Sequence, residues 1–365
     1  MTKKKTSAVG AVNQIRKELE RLDRELVKLI ADRARAAQKL GKLRQAANEP
    51  VYNPLEDQEI IRKAVEANRG PLGNEAISTL FRQIIGLARG LVKPIRVGYL
   101  GPKYSYSHLA AIDRFGGGPE LTPQATIKSV FEAVQAGQID FGVVPIENST
   151  DGRVVDTLDM FARIPTRITG EVQLRIHHNL LGKSLRSEVV EVYSKPQALS
   201  QCRDWLAKNL PGVKQIEMTS TAISAQIAAD KPGAAAVASI EAGMHYGLNV
   251  IDAQIEDNKH NVTRFAVIGG APAKRTGSDK TSLMFEIAHE PGALADAMLA
   301  FKRGKLNLTW IESFPMPNSK HEYLFFVEFE GHESDGRVKK SLDGLARKTV
   351  KMSVLGSYAR CEPAV

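Results

Sequence analysis

The chain has 365 residues, of which 43% are hydrophobic and 25% are charged. These proportions are typical of globular proteins, and the length allows two or three domains with cores of their own. The formal net charge of +9 favours an anionic partner. However, basic residues are interspersed with acidic ones and only 6% of residues are aromatic, which argues against nucleic acid or a membrane surface and leaves a small polycarboxylate.

The cysteines and the apolar runs indicate a cytoplasmic protein. Cys202 and Cys361 are far apart and have no metal-ligand spacing, so we expect a reducing compartment, no disulfide and no metal site. The N-terminus lacks the apolar segment of a signal peptide, and no apolar run approaches the ~20 residues of a membrane span.

Residues 12–46 predict one long amphipathic helix. The apolar positions recur at three- and four-residue spacing: Val12, Ile15, Leu19, Leu22, Leu26, Leu29 and Ile30. At about 1.5 Å per residue such a helix extends ~50 Å, so its stripe needs further helices or a second copy of the chain. Helices over 55–68 and 74–91 follow breaks at Pro54 and Gly70-Pro71, which predicts a three-helix unit that self-associates.

Two arginines of this helix are candidates for anion binding. Arg16 and Arg33 lie about five turns apart, close to the same face, and could clamp two carboxylates at opposite ends of a groove. The alternative is two solvated charges on the polar face.

From residue 95 onward, strand and helix patterns alternate, and a polar cluster separates strand from helix in four places. The clusters are Ser105/Ser107, Asn148/Ser149/Thr150, Ser194/Gln197 and Ser220/Thr221. Each alone is explained by helix N-capping. Together they predict a cleft that offers hydroxyls, amides and free backbone N–H groups to an anion. We also expect 171–181 to be extended and 198–210 to be one helix.

The stretch Asn258–Phe265 ends in Thr263-Arg264-Phe265, which enters the apolar run 266–268. It places a hydroxyl and a guanidinium at the mouth of a strand, where α/β domains build ligand sites. A Thr-Arg pair at this position is also compatible with an ordinary β-former beside a surface charge.

After a linker over 271–279, the pattern is β-α-β-β-α-β, which predicts a ferredoxin-like domain. Domains of this type can be catalytic, RNA-binding or regulatory.

Several separated motifs together resemble one family. They are the run from Asp140 to Leu158, Gly170-Glu171-Val172 with His177 to Leu181, Tyr193 to Gln197 with Gln201-Cys202, and Asn261 to Phe265. The chain resembles the bifunctional chorismate mutase/prephenate dehydratases over nearly its whole length. The resemblance implies a three-helix mutase-like domain (8–93), a two-lobed α/β dehydratase domain of periplasmic-binding-protein type (94–270) and a ferredoxin-like ACT domain (279–361).

The implied reaction converts prephenate to phenylpyruvate, CO2 and water, with no metal or organic cofactor. Thr263 matches the family's catalytic threonine, and we expect it to donate a hydrogen bond to the leaving hydroxyl. His177 and His178 are secondary candidates. The other residues implied in catalysis are Asn148, Ser194, Gln197 and Gln201, and those implied in substrate binding are Glu147, Ser149, Thr150, Ser220, Thr221, Arg264 and Phe265.

The helical domain departs from its family. Arg16, Arg33, Arg44 and Asp57 match groove positions, but Glu56 stands where an arginine is usual, and Ala88 and Val92 replace polar residues. A glutamate among carboxylate-binding residues would repel the substrate. We therefore hypothesise that mutase activity is weak and that the domain serves dimerisation.

The ACT resemblance implies L-phenylalanine as a feedback effector. The matching positions are Gly292, Ala293, Leu294, Glu312 and Ser313. Phe314 replaces the usual arginine, which leaves effector affinity or identity open. Tyr104 and Lys195 are further departures, from Gly and His.

Three other functions remain open: a fully bifunctional mutase/dehydratase, an arogenate dehydratase and a non-catalytic amino-acid sensor. In each case we expect a homodimer or homotetramer, because the helical stripe and the ACT strand edges invite self-association.

Overall fold

The computed structural model describes residues 2–47, 49, 52, 54–315 and 323–361. These residues form two compact units. One consists of the chain up to Pro94 with Phe115–Pro119, and the other of Ile95–Arg114 with the chain from Glu120 on.

The first unit contains the three predicted helices, α1 (Thr2–Ala46), α2 (Pro54–Ala67) and α3 (Asn74–Gly90). The apolar stripe of α1 is uncovered in the single chain: Ile15 is 58% exposed, Leu19 55% and Leu29 66%. Despite its 45 residues, α1 is too polar to cross a membrane. No other helix in the described ranges has the length and apolar character of a membrane span either.

The second unit begins with a sheet that we call the first lobe. Its strands are β1 (Arg96–Leu100), β2 (Glu120–Gln124), β3 (Phe141–Asn148), β4 (Gly152–Arg153) and β5 (Ile168–Arg175), and its helices are α4 (Tyr106–Phe115), α5 (Ile127–Gln135) and α6 (Val155–Arg163). β1 pairs in parallel with both β2 and β3.

The chain then enters a second sheet, the second lobe. Its strands are β6 (Asn179–Gly182), β7 (Glu191–Ser194), β8 (Lys214–Glu217), β9 (Ala234–Ala238) and β10 (Asn249–Asp252), in the order β10-β6-β9-β7-β8. Its helices are α7 (Pro196–Gln201), α8 (Arg203–Asn209), α9 (Thr221–Asp230) and α10 (Ile240–His245). The prediction of one helix over 198–210 is wrong, since Cys202 leaves the helical conformation between α7 and α8.

β11 (Val262–Gly269) returns to the first lobe and pairs antiparallel with both β3 and β5, giving the order β2-β1-β3-β11-β5. Two segments, 176–178 and 253–261, therefore connect the lobes. The segment 171–181, predicted to be extended, contains the end of β5 and the start of β6, and these two strands belong to different sheets. Such a two-lobed arrangement places a cleft where the connections cross.

The C-terminal sheet contains β12 (Asp279–Glu286), α11 (Ala293–Arg303), β13 (Leu308–Pro315), β14 (Tyr323–Glu330), α12 (Gly336–Ala346) and β15 (Lys351–Ala359). This is the predicted β-α-β-β-α-β order, with strands arranged β13-β14-β12-β15. One face of the sheet packs on α11 and α12, with Phe285, Phe301 and Leu345 in the core. The other face shares a core with the first lobe, where Phe326 and Tyr358 join Ile168 and Ile268.

Candidate active site

The site is built on two adjacent register pairs of β3 and β11. Thr263 lies opposite Asn148, and Arg264 lies opposite Glu147. Successive side chains of a strand point to opposite faces, so the first pair occupies one face of the sheet and the second pair the other. A register shift follows directly after Arg264, a feature that commonly reorients side chains beside active sites.

Backbone amides fix the direction of the hydrogen bonds around Asn148. Its Oδ1 accepts from the N–H groups of Thr150 at 2.9 Å and Asp151 at 3.0 Å. Since a backbone N–H can only donate, this side of the amide is the oxygen. Asn148 Nδ2 must then donate, and it does so to Asn261 Oδ1 and to Thr263 Oγ1, both at 2.8 Å.

The consequence for Thr263 is chemical. Its Oγ1 accepts a hydrogen bond from Asn148 Nδ2, so the threonine's own hydroxyl proton remains to be donated elsewhere. Thr263 is half-buried at the edge of the first lobe. The geometry therefore presents a hydroxyl whose acceptor side is occupied and whose donor side is available to a bound molecule.

The same reasoning fixes the donors and acceptors of the hydrogen bonds that continue into the second lobe. Asn261 Nδ2 donates to Gln201 Oε1 at 2.8 Å, and Gln201 Nε2 donates to Asp151 Oδ2 at 2.9 Å. Gln201 Oε1 also contacts His178 Nε2 at 2.9 Å, so His178 carries its proton on Nε2. Burial lowers the pKa of His178 below its ordinary value, which keeps the ring neutral, with Nδ1 lying 3.2 Å from Tyr106 Oη; the Tyr106 hydroxyl donates its proton to the His177 carbonyl at 2.8 Å.

The two connections between the lobes are joined by a buried carboxylate. Glu256 Oε1 lies 2.9 Å from His177 Nδ1, and Glu256 Oε2 accepts from the His178 backbone N–H at 2.9 Å. The Ile255 N–H donates to the His178 carbonyl at 2.7 Å. These bonds hold the paired histidines in the connecting segments, beside the cleft.

The remaining predicted polar residues of the second lobe lie at the carboxyl ends of β7 and β8, which are parallel neighbours. Ser194 is fully buried, and its hydroxyl donates to the Val237 carbonyl at 2.6 Å. Gln197 is exposed on α7. Ser220 caps α9 by accepting from the Ile223 N–H at 3.1 Å, and Thr221 is buried in the first turn.

In the first lobe, Ser149 and Thr150 lie in the exposed turn after β3. Ser149 Oγ accepts from the Val262 N–H at 2.9 Å and donates to the His260 carbonyl at 3.2 Å, so it ties the turn to the start of β11. Phe265 is 1% exposed and supports the strand from the interior.

Arg264 and Glu147 differ most from the sequence-based expectation. Arg264 Nη1 pairs with Glu147 at 2.7 Å, and Arg264 Nη2 pairs with Glu328 at 2.6 Å and Glu171 at 3.3 Å. These side chains lie behind the sheet, on the face opposite Thr263, and the guanidinium already has three carboxylate partners. Their position does not support the interpretation as substrate ligands.

Asn261, Asp151, His178 and Tyr106 belong to the hydrogen-bonded site but were outside the main predicted catalytic set. The first three lie inside the motifs that carried the family resemblance, so those motifs were the available signal. Tyr104, at the position where glycine is usual, has a φ of 66° and stacks on His245 with ring centroids 4.0 Å apart. The left-handed backbone there explains the family's glycine.

In the helical unit, the predicted groove residues are partly occupied by their neighbours. Arg44 pairs with Glu56 at 2.6 Å, and Asp57 pairs with the buried Arg89. Arg16 is exposed and Arg33 is half-buried on α1.

The predicted effector positions fall in two places. Gly292 and Leu294 line an apolar cavity at the start of α11, together with Ile287, Glu290 and Phe325. Ala293 is the first residue of α11. Glu312 and Ser313 lie on β13, where Glu312 pairs with Arg153 of the first lobe at 2.7 Å.

Comparison with known proteins assigns the family. The family model for prephenate dehydratase matches residues 97–273, and that for chorismate mutase type II matches residues 15–92. A bifunctional chorismate mutase/prephenate dehydratase of Aquifex aeolicus is 43% identical over 354 residues, covering 96% of this chain and 98% of the relative.

Two solved structures share the fold of the second unit. A prephenate dehydratase of Arthrobacter aurescens in complex with L-Phe has a TM-score of 0.68 at 34% identity, over 74% of this chain and 92% of that one. A quorum-quenching acylase, GqqA, has a TM-score of 0.66 at 27% identity, over 73% of this chain and 98% of that one. From the two family models and the near full-length relative, the chain belongs to the bifunctional chorismate mutase/prephenate dehydratase family.

Proposed function

We propose that this chain is a prephenate dehydratase, with Thr263 as the hydrogen-bond donor to the leaving hydroxyl. The observation that carries the proposal is the hydrogen bond that Asn148 Nδ2 donates to Thr263 Oγ1 at 2.8 Å, because it directs the hydroxyl proton of Thr263 to another acceptor. A hydroxyl held in this way is preorganised to donate where negative charge develops on a substrate oxygen.

The bond changes of the reaction can be written in full with Thr263 as the hydrogen-bond donor to the leaving oxygen. The C–C bond to the ring carboxylate breaks and releases CO2, its electron pair completes the aromatic ring, and the C–O bond to the ring hydroxyl breaks. The departing hydroxide takes one proton and becomes water. Because aromatisation supplies the driving force, the protein need only orient the substrate and polarise the leaving oxygen.

The substrate's carboxylates need donors other than Arg264, which is occupied behind the sheet. The exposed Gln197 on α7 and the hydroxyl of Ser220, which precedes α9, lie at one edge of the second lobe and suit this task. Arogenate differs from prephenate by an amino group, and it remains the alternative substrate of the same site.

The experiment compares Thr263→Ala with Thr263→Ser in the full chain. We expect Thr263→Ala to lower kcat on prephenate by about 10²–10⁴-fold, while calorimetry gives a Kd within a few-fold of wild type. Thr263→Ser keeps the hydroxyl and should retain most of the activity. If the wild-type protein binds prephenate or an amino acid without any turnover, the sensor alternative replaces this proposal.

We further propose that the helical unit has weak chorismate mutase activity. Glu56 holds Arg44 at 2.6 Å and thereby competes with a substrate carboxylate for that cation. The exposed stripe of α1 supports a dimerisation role, with a dimer or tetramer as the expected assembly. Turnover of chorismate at roughly 1–1000 s⁻¹ would contradict the first statement and favour full bifunctionality.

The C-terminal sheet is, we propose, an ACT domain that takes L-phenylalanine as effector. The apolar cavity beside Gly292 and Leu294 fits an aromatic side chain, and the Arthrobacter structure contains L-Phe. Inhibition of prephenate turnover by L-phenylalanine, abolished by Leu294→Asp, would support this; inhibition by another amino acid would reassign the effector.

A further inference from the structure

The ion cluster behind Thr263 joins the first lobe to the C-terminal sheet. Its members come from both sides: Glu147, Glu171 and Arg264 from the first lobe, and Lys280 and Glu328 from the C-terminal sheet. Lys280 Nζ lies 2.5 Å from Glu171 and 3.1 Å from Glu328. The cluster thus has three carboxylates and two cations, and Glu328 within it is 1% exposed.

Glu328 is the best-supported member. One oxygen pairs with Arg264 at 2.6 Å, and the other accepts from Ser282 Oγ and Tyr358 Oη, each at 3.1 Å. These partners come from β12, which neighbours β14, and from β15, the strand beyond it, so the carboxylate is held from two other strands of its sheet. Because several hydrogen bonds hold this carboxylate in place, it restrains the position of the Arg264 guanidinium with which it pairs.

The cluster also acts on the residue next to Thr263. Arg264 and Thr263 share one peptide unit, and the pairs Arg264/Glu147 and Thr263/Asn148 are consecutive rungs of the same ladder. A shift of Arg264 therefore displaces or rotates Thr263, and a displacement of about 1 Å at a reacting group can cost 10²-fold in rate.

We propose that Glu328 is a positioning residue for the dehydratase reaction: through Arg264 it sets the position of Thr263 from behind the sheet. The inference rests on the proposed dehydratase function. It gives the C-terminal sheet a direct path to turnover that does not pass through the cleft.

The test uses Glu328→Gln in the full chain. This change keeps the shape and the oxygen that accepts from Ser282 and Tyr358, and it leaves two cations facing two carboxylates, so no unpaired charge is buried. We expect kcat on prephenate to fall about tenfold or more, with KM within about threefold.

The matched control is Glu333→Gln. It removes another carboxylate of the C-terminal region that pairs with a first-lobe arginine, Arg167, but that pair does not involve β11. We expect its kcat and KM to stay within about twofold of wild type.

A second variant, Lys280→Met/Glu328→Gln, guards against a folding defect. It removes one cation and one carboxylate together, so the net charge of the cluster is unchanged, and it also deprives Arg264 of its C-terminal partner. We expect the same fall in kcat. Wild-type kcat in both variants, even with a lowered Tm, would show that the cluster only holds the domains together and would overturn the inference. Absence of prephenate turnover in the wild-type protein would instead refute the proposed function.

Discussion

The hydrogen-bond polarity at Thr263 predicts the effect of Asn148→Asp. The new carboxylate keeps the oxygen that accepts from the Thr150 and Asp151 N–H groups, which are 2.9 and 3.0 Å away in the wild type. Its second oxygen replaces Nδ2 and can no longer donate to Thr263 Oγ1. The threonine hydroxyl must then donate to the carboxylate, and it presents a lone pair, not a proton, to the cleft.

The expected fall in kcat follows from the loss of one hydrogen-bond donor, the Thr263 hydroxyl, to the negative charge that develops on the leaving oxygen. Removing such a donor typically costs about 10²–10³-fold in kcat, or about 2.7–4 kcal/mol. We expect Asn148→Asp to fall in this range and to approach the activity of Thr263→Val, which lacks the hydroxyl altogether. KM should change less than kcat, because the lost interaction is made mainly in the transition state.

The assay measures phenylpyruvate formation from prephenate between pH 5.5 and 8.5. Carboxyl groups of aspartate ordinarily titrate near pH 4, and the two backbone N–H donors favour the charged form, so the new carboxylate stays ionised and the loss of activity should persist across this pH range. Asn148→Asp with a kcat within threefold of wild type at the alkaline end would refute the polarity that the structure indicates.

Three further predictions concern other parts of the molecule. Burial lowers the pKa of His108 to about 4, and its Nδ1 accepts from the Tyr104 N–H at 3.1 Å. Because the unfolded chain binds this proton near its ordinary value of 6.5 and the native state does not, stability should fall as the pH drops from 6.5 towards 4; Tm measured across this range should fall less steeply in His108→Asn. Ser194→Ala leaves a buried carbonyl without its donor and should lower the free energy of unfolding by about 1–3 kcal/mol, with kcat nearly unchanged well below Tm; a large fall in kcat alone would restore Ser194 as a substrate contact. Glu56→Arg frees Arg44 and should raise chorismate turnover, measured by loss of chorismate absorbance, whereas an unchanged rate would place the defect elsewhere in the groove.

The sequence anticipated those parts of the structure that local patterns determine. The helical period of 12–46 predicted α1, and alternation with turn residues predicted the C-terminal element order. The exchange between sheets at 176–178 was missed, because a strand that ends one sheet and a strand that begins another have the same local period. β2 and β10 were also missed; both are short, and β2 contains the helix- and strand-breaking Pro123.

Prediction from sequence was limited in the same way for single side chains of the candidate active site. The sequence motifs alone identified Thr263, Asn148 and Gln201, and the structure joins them through Asn261. The motifs did not indicate which face of β11 each residue occupies. Arg264 resembled a carboxylate ligand because Glu328, which pairs with it, is distant in sequence and lies on the C-terminal sheet.

The two faces of β11 are contacted by different parts of the chain, and these parts have different roles. On the cleft face, the orientation of the Thr263 hydroxyl is set by Asn148 and by backbone amides of the same lobe, so it does not depend on closure of the second lobe. Gln201 reaches this network through Asn261 and Asp151, and an opening of the cleft would break those bonds while leaving the hydroxyl aligned. On the rear face, the strand is held by the C-terminal sheet. If Glu328 positions Thr263 through Arg264 as we propose, a displacement of that sheet would reach Thr263 even with the cleft closed, so the rear face offers a route to regulation that is independent of the cleft.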